Sequence, residues 1–208
     1  MAKPTFIFDG PARSKHVLIL SHGAGAPMDS AWMNHVAAGL AAEEIRVARF
    51  EFPYMAGRRD GGPRRGPNPP AVLQQSWLEA IEALGGGTRV VIGGKSMGGR
   101  IASMVADDAG VQGLVCMGYP FHPPGRPEVL RTKHLATLKT RALVLQGERD
   151  TFGTREEVPG YTLSKKIRVH WIGDGDHSWK PRVKSGRTLE QNIAEAVAAT
   201  AAFMKKLR

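Results

Sequence analysis

The sequence predicts an α/β fold: a mostly parallel sheet of about six or seven strands, flanked by helices on both faces, with no large lid domain. Three observations carry this. Short β-branched runs alternate with amphipathic helical stretches, the pattern of repeated strand–helix–strand units. Residues 88–102, TRVVIGGKSMGGRIA, turn a buried strand into a helix across Gly94-Lys95-Ser96-Met97-Gly98. Ser96, Asp150 and His177 each fall just beyond the carboxyl end of a strand, where functional groups gather in open parallel sheets.

Composition narrows the class. The 208 residues fit one domain, 1–208, long enough for a full core. A hydrophobic content of 42% with 23% charged residues is that of an ordinary globular chain. One cysteine, Cys116, precludes an intrachain disulfide, so an oxidising compartment is not required. The opening MAKPTFIFDGPARSK has no apolar leader and no run reaches membrane-spanning length, which predicts a cytoplasmic protein without a membrane partner. Oligomeric state stays open. Net charge is +10, from 29 Lys+Arg against 19 Asp+Glu. Its densest cluster, residues 57–66 with Arg58, Arg59, Arg64 and Arg65, lacks aromatics for base stacking and helical spacing for a groove. It reads as a solvated loop, and nucleic acid is disfavoured as a partner.

In chain order, residues 5–8 read as a short edge strand and residues 16–20, HVLIL, as a stronger one. The latter runs into Ser21-His22-Gly23-Ala24, small residues that let backbone amides turn toward a neighbouring oxyanion. Either Gly23 or Ala24 supplies that amide, and His22 stabilises the loop. Asp29 and Ser30 are caps for a helix over 31–43, with Trp32, Val36 and Leu40 on one face. Residues 45–52, IRVARFEF, alternate as a strand that Pro53 ends. Gly, Pro and Arg dominate residues 54–70, which predicts a long surface loop. A helix over 71–84 carries Val72, Leu73, Trp77 and Ile81, and three glycines close it. Beyond the 88–102 segment, residues 113–117, GLVCM, form a buried strand with Cys116 in the core. The proline-rich loop 118–131 follows, in which Tyr119, Phe121 and His122 shape a substrate pocket. Strands over 141–145 and 167–172 deliver Asp150 and His177, and a closing helix covers 185–207 with Leu189, Ile193, Val197 and Phe203 inward.

The chemistry follows from residue types and order. A serine hydroxyl needs an imidazole to take its proton, and that imidazole needs a carboxylate to fix its tautomer. Ser96, then Asp150, then His177 is the order of the G-x-S-x-G hydrolases. His177 lies in a loop, whereas His16 and His170 belong to strands. Asp150 outranks Glu148 by register, and Asp174 and Asp176 read as turn residues. The amide of Met97, at the positive end of a helix, joins Gly23 or Ala24 as an oxyanion donor. Lys95 has two readings: an ammonium in water across the sheet top, or a cation at the mouth of the site favouring an anionic substrate. Arg100 satisfies a carboxylate or carbonyl near the turn.

The chain resembles α/β-hydrolases of the dienelactone-hydrolase-like group. More narrowly, it is similar to the hydrolase-like domain of testis-expressed proteins and of the third subunit of the NSL histone-acetyltransferase complex. The carrying segments are SHGAGAPMDSAWM from Ser21, FPYM from Phe52, GGKSMGGR from Gly93, GYPFHPPGRPE from Gly118, QGERDTFG from Gln146 and DHSWK from Asp176. The resemblance implies the α/β-hydrolase fold, the triad positions, no metal and no organic cofactor. Dienelactone hydrolases proper use a cysteine where Ser96 stands, a departure that argues against a dienelactone substrate. The reading that results is a serine hydrolase of a small or medium carboxylic ester or thioester, against a binding module that keeps the fold.

Overall fold

A computed structural model describes residues 4–59 and 61–207. Seven strands form one sheet: β1 (Phe6–Asp9), β2 (Val17–Ser21), β3 (Arg46–Phe50), β4 (Val91–Lys95), β5 (Gly113–Met117), β6 (Ala142–Gly147) and β7 (Ile167–Ile172). Their order is β1-β3-β2-β4-β5-β6-β7. Only β1 runs antiparallel, pairing Phe6 with Phe50 at the edge. The order reverses between β2 and β4, which puts a crevice at the carboxyl ends of these two neighbours.

Five α-helices among the described residues cover the sheet: α1 (Ala31–Ala42), α2 (Pro53–Arg59), α3 (Pro70–Ala83), α4 (Met97–Val105) and α5 (Leu189–Met204). The two-residue period of the strands splits the core between the faces. Ile19, Ile92, Leu114 and Cys116 point to the side of α3 and α4, where Trp77 and Ile101 are buried. Leu18, Leu20, Val91, Val115 and Met117 point to the side of α1 and α5, against Val36, Leu40, Ile193 and Met204. Strands buried on both faces explain why β4, β5 and β6 read as continuous apolar or small runs. The strand order and helix placement are those of an α/β-hydrolase fold, with no large lid domain among the described residues.

Several expectations are corrected. Residues 54–70 are not loop throughout, because α2 starts at Pro53, which fits a first helical turn where no amide bond is needed. Tyr54 and Met55 are buried and anchor that helix. The basic stretch 57–66 includes residue 60, which lies outside the described residues. The stretch is exposed at Arg59, Arg64 and Arg65, but Arg59 also pairs with Asp29 (2.7 Å) and Glu51 (2.7 Å), and Arg58 lies 5.5 Å over the Tyr54 ring. Ser30 holds the N-cap position of α1 without a side-chain bond, and Asp29 is occupied by Arg59. The closing helix begins at Leu189 rather than residue 185. Thr188 and Gln191 form a reciprocal capping box there, satisfying two amides of the first turn. Arg49, in the alternating strand β3, is buried and satisfied by Asp9, Met28 O and Asn34. No helix among the described residues is long and apolar enough to cross a membrane.

Candidate active site

Ser96 sits between β4 and α4 at φ 50, ψ −115, a left-handed conformation that costs a non-glycine residue about 1–3 kcal/mol. The tight turn works because its flanks lack side chains. A Cβ on Gly94 would fall 2.7 Å from Ser21 O, and one on Gly98 would fall 2.6 Å from His22 O. These contacts are backbone, which cannot swing aside. The amide of Ser96 donates to Met117 O at 2.9 Å, fixing the turn to β5 and leaving Oγ above the sheet.

Oγ meets His177, on the loop after β7, with 2.8 Å to Nε2. His177 Nδ1 is 2.8 Å from Asp150 Oδ2. Asp150 is fully buried after β6, and two further donors hold it: Gln146 Nε2 on Oδ2 (2.9 Å) and the Phe152 amide on Oδ1 (2.9 Å). The Phe152 ring packs against the imidazole with centroids 4.3 Å apart. Ser96, His177 and Asp150 thus come from three separate strand ends into one hydrogen-bonded chain. A carboxylate on Nδ1–H leaves Nε2 unprotonated and able to accept the serine proton.

The other carboxylates near this loop have different partners. Glu148 pairs with Arg155 and accepts from the Asp174 amide at 2.8 Å. Asp174 is held by Arg182, whose side chain and amide bring its carboxyl down to about 2. Asp176 accepts the amides of Ser178 (2.8 Å) and Lys180 (2.9 Å), closing the turn that presents His177.

The loop after β2 faces the serine. His22 Nδ1 donates to Gly23 O (2.6 Å) while Nε2 accepts the Phe52 amide (3.2 Å), which fixes a neutral tautomer. Burial lowers its pKa, outweighing the Gly23 bond, which raises it. Tyr54 donates to Ala24 O at 2.9 Å, and burial pushes its phenol up to about 12, so it stays a donor. The Gly23 and Ala24 carbonyls are therefore engaged. Among the described residues the amides of Gly23, Ala24 and Met97 have no partner. Unpaired amides beside a nucleophile can receive an oxyanion.

A cleft of about 270 Å³ opens here, lined by Gly23, Ala24, Trp32, Lys95, Ser96 and His177 among others. A larger groove of about 660 Å³ lies elsewhere, along α3 by Leu78 and Ile81; Glu79 and Glu82 line it, but no serine, cysteine or histidine does. Lys95 lines the cleft, but its amine donates to the backbone carbonyl of His177 rather than standing in water. Tyr119, Phe121 and His122 do not shape the cleft. Their exposures are 0%, 0% and 2%, and their rings pack with each other and with Tyr161 beneath the loop. The start of the proline-rich loop, residues 118–122, folds inward, with Tyr119 bonded through its amide to Gln146 (2.8 Å) and through its hydroxyl to Arg131 O (3.0 Å). Arg100 forms no side-chain hydrogen bond with the described residues.

Sequence reasoning missed Gln146 and Trp32. Gln146 joins Asp150 to Tyr119 and Gly153, and its signal was a polar residue ending an apolar strand. Helical spacing places Trp32 only on a helix face, yet its indole donates to Ser178 O (3.0 Å), bracing the His177 loop. Among the described residues no cluster of three or more His, Cys, Asp or Glu could hold a metal ion.

A serine at a strained strand–helix turn, bonded to a histidine and then an aspartate from later strand ends, is the arrangement of the α/β-hydrolase class. Residues 14–205 match the alpha/beta hydrolase domain family, and the chain belongs to it. Solved structures similar to this chain include the esterase domain of a Rhodothermus marinus protein, at 13% identity and TM-score 0.70, covering 97% of this chain and 92% of that one. A lidless α/β serine hydrolase from Xanthomonas campestris is similar at 16% identity and TM-score 0.66, over 100% and 98%. Dienelactone hydrolase from Anabaena variabilis is similar at 16% and 0.66, over 100% of both chains. At these identities the likeness establishes the fold.

Proposed function

We propose that the protein is a serine hydrolase that cleaves a small or medium carboxylic ester or thioester through an acyl-enzyme on Ser96. The observation that carries this is the chain Ser96 Oγ–His177 Nε2 and His177 Nδ1–Asp150 Oδ2, 2.8 Å at each link. As Oγ attacks the substrate carbonyl, His177 takes its proton, and Asp150 stabilises the imidazolium. The amides of Met97 and of Gly23 or Ala24 receive the negative oxygen, and one such donor is worth about 10²–10³ in turnover. The imidazolium then protonates the leaving alcohol or thiol. Water, deprotonated by the same imidazole, attacks the acyl-enzyme and releases the acid.

The cleft of about 270 Å³ suits an acyl group of modest size. The esterase and serine-hydrolase neighbours support this chemistry by fold. The narrower resemblance to the NSL-complex subunit keeps a binding module as the competing reading. A fluorophosphonate probe separates the two: mass-spectrometric labelling of Ser96, with turnover of p-nitrophenyl esters declining as the acyl chain lengthens, is the expected result. An unlabelled, properly folded protein would favour the binding module.

A further inference from the structure

Lys95 is the last residue of β4, and the chemistry above leaves its amine without a task. Its side chain runs past Gly23, where a Cβ would fall 3.5 Å from Lys95 Cγ, and its amine lies 5.5 Å from the Trp32 ring centroid. The amine ends on the backbone carbonyl of His177. Space for that contact comes from Gly118, at φ 67 after β5, where a Cβ would fall 2.9 Å from both Lys95 Nζ and His177 O. Three strand ends meet at this one hydrogen bond. The rest of the loop is anchored elsewhere: Trp32 holds Ser178 O, Asp176 holds the amides of Ser178 and Lys180, and Asn192 holds Trp179 O. Among the described residues the His177 carbonyl has Lys95 as its partner. An apolar side chain would fill this space without the solvation cost of burying an amine.

We propose that Lys95 is a positioning residue whose protonated amine clasps the His177 backbone and so holds the imidazole between Asp150 and Ser96. This rests on the triad reading given above. A charge-assisted hydrogen bond is roughly twice as strong as a neutral one, so the clasp loosens when the amine loses its proton. Burial brings that pKa down to about 8, with the carboxylates of Asp150 and Asp176 offsetting part of the shift. The faces around the amine otherwise present His177, Trp32 and Gly118. Misplacing a reacting group by about 1 Å costs about 100-fold in rate. The clasp therefore predicts an alkaline limb: kcat falls as pH rises through about 8.

Three proteins test this on a neutral p-nitrophenyl ester: the unaltered chain, Lys95→Met, and Lys95→Cys aminoethylated to restore an amine. Alkylation is selective because the native thiol, Cys116, is buried and its pKa is pushed up by burial. Lys95→Met should lose about 10–100-fold in kcat at pH 7 with KM within about 3-fold, and should lack the alkaline limb. The aminoethylated protein should recover most of kcat, with its limb moved to lower pH because the thioether makes the amine more acidic. Matching melting temperatures guard against misfolding. Unchanged kcat in Lys95→Met, or the same alkaline limb in all three proteins, overturns the clasp. If the unaltered protein neither takes the fluorophosphonate label nor turns over ester, the triad reading falls and the clasp with it. A labelled, active protein indifferent to Lys95→Met removes the clasp alone.

Discussion

Asp150→Asn tests the hydrogen-bonded chain most sharply, because all three bonds to the carboxylate come from donors. Oδ2 accepts from His177 and Gln146, and Oδ1 accepts from the Phe152 amide. An asparagine amide must set its NH₂ against one of these sides. Facing Phe152, it opposes an amide that cannot move. Facing His177, it forces the imidazole to carry its proton on Nε2, where it can no longer accept from Ser96. Gln146 cannot relieve the conflict by turning over, since its Oε1 accepts from the Tyr119 amide while its Nε2 also serves Tyr119 O and Gly153 O. The wrong tautomer should cost about 10⁴ in kcat. That equals about 5.4 kcal/mol of barrier at 1.36 kcal/mol per tenfold. The unsatisfied buried amide should lower stability by about 1–3 kcal/mol. Ester turnover and the rate of fluorophosphonate labelling give the first number, and urea unfolding gives the second. Turnover by Asp150→Asn within tenfold of the unaltered protein would refute the reasoning, as would a larger loss from Glu148→Gln.

Ser96→Gly should abolish labelling while raising stability by about 1 kcal/mol, because it relieves the positive φ at that position; urea unfolding measures it. Gly98→Ala should lose about 1–3 kcal/mol in the same assay and most of the turnover, since its Cβ meets backbone oxygens of Ser21 and His22. His22 is held neutral in the fold with its pKa lowered, so the unfolded chain binds a proton first as pH falls below the ordinary value of 6.5. Its contribution is complete above that value and is lost below it. Unfolding free energies from pH 8 to 5 should fall less steeply for His22→Phe than for the unaltered chain.

Local chemistry was legible in the sequence, and long-range packing was not. The turn at Ser96 could be read because its strain demands glycines at fixed offsets, and Gly94 and Gly98 stand there. The strands β5 and β7 matched their sequence runs because burial on a sheet selects β-branched and apolar residues. The triad candidates were readable because each follows a strand, and strand ends of a parallel sheet converge. Position relative to a strand end does not, however, say which way a side chain turns. Tyr119 and Phe121 stand two and four residues past β5, as Asp150 stands three past β6, yet their rings pack into the core. Their direction depends on Gln146 and Tyr161, distant in the chain.

What the sequence alone determined, then, was most of the succession of elements and which residues are candidates for chemistry. Both are written in short-range patterns of glycine, apolar period and residue order. The tertiary structure decided the sheet order, the antiparallel edge of β1, the helix at Pro53 and the burial of residues 118–122 at the start of the proline-rich loop. It also decided the fate of the charges, spending Arg59 on Asp29 and Glu51 and turning Lys95 onto His177. A charge is neutral to local pattern. What it binds is fixed only when segments far apart in the chain are brought within a few ångströms, where desolvation makes an unpaired polar group costly and a partner necessary.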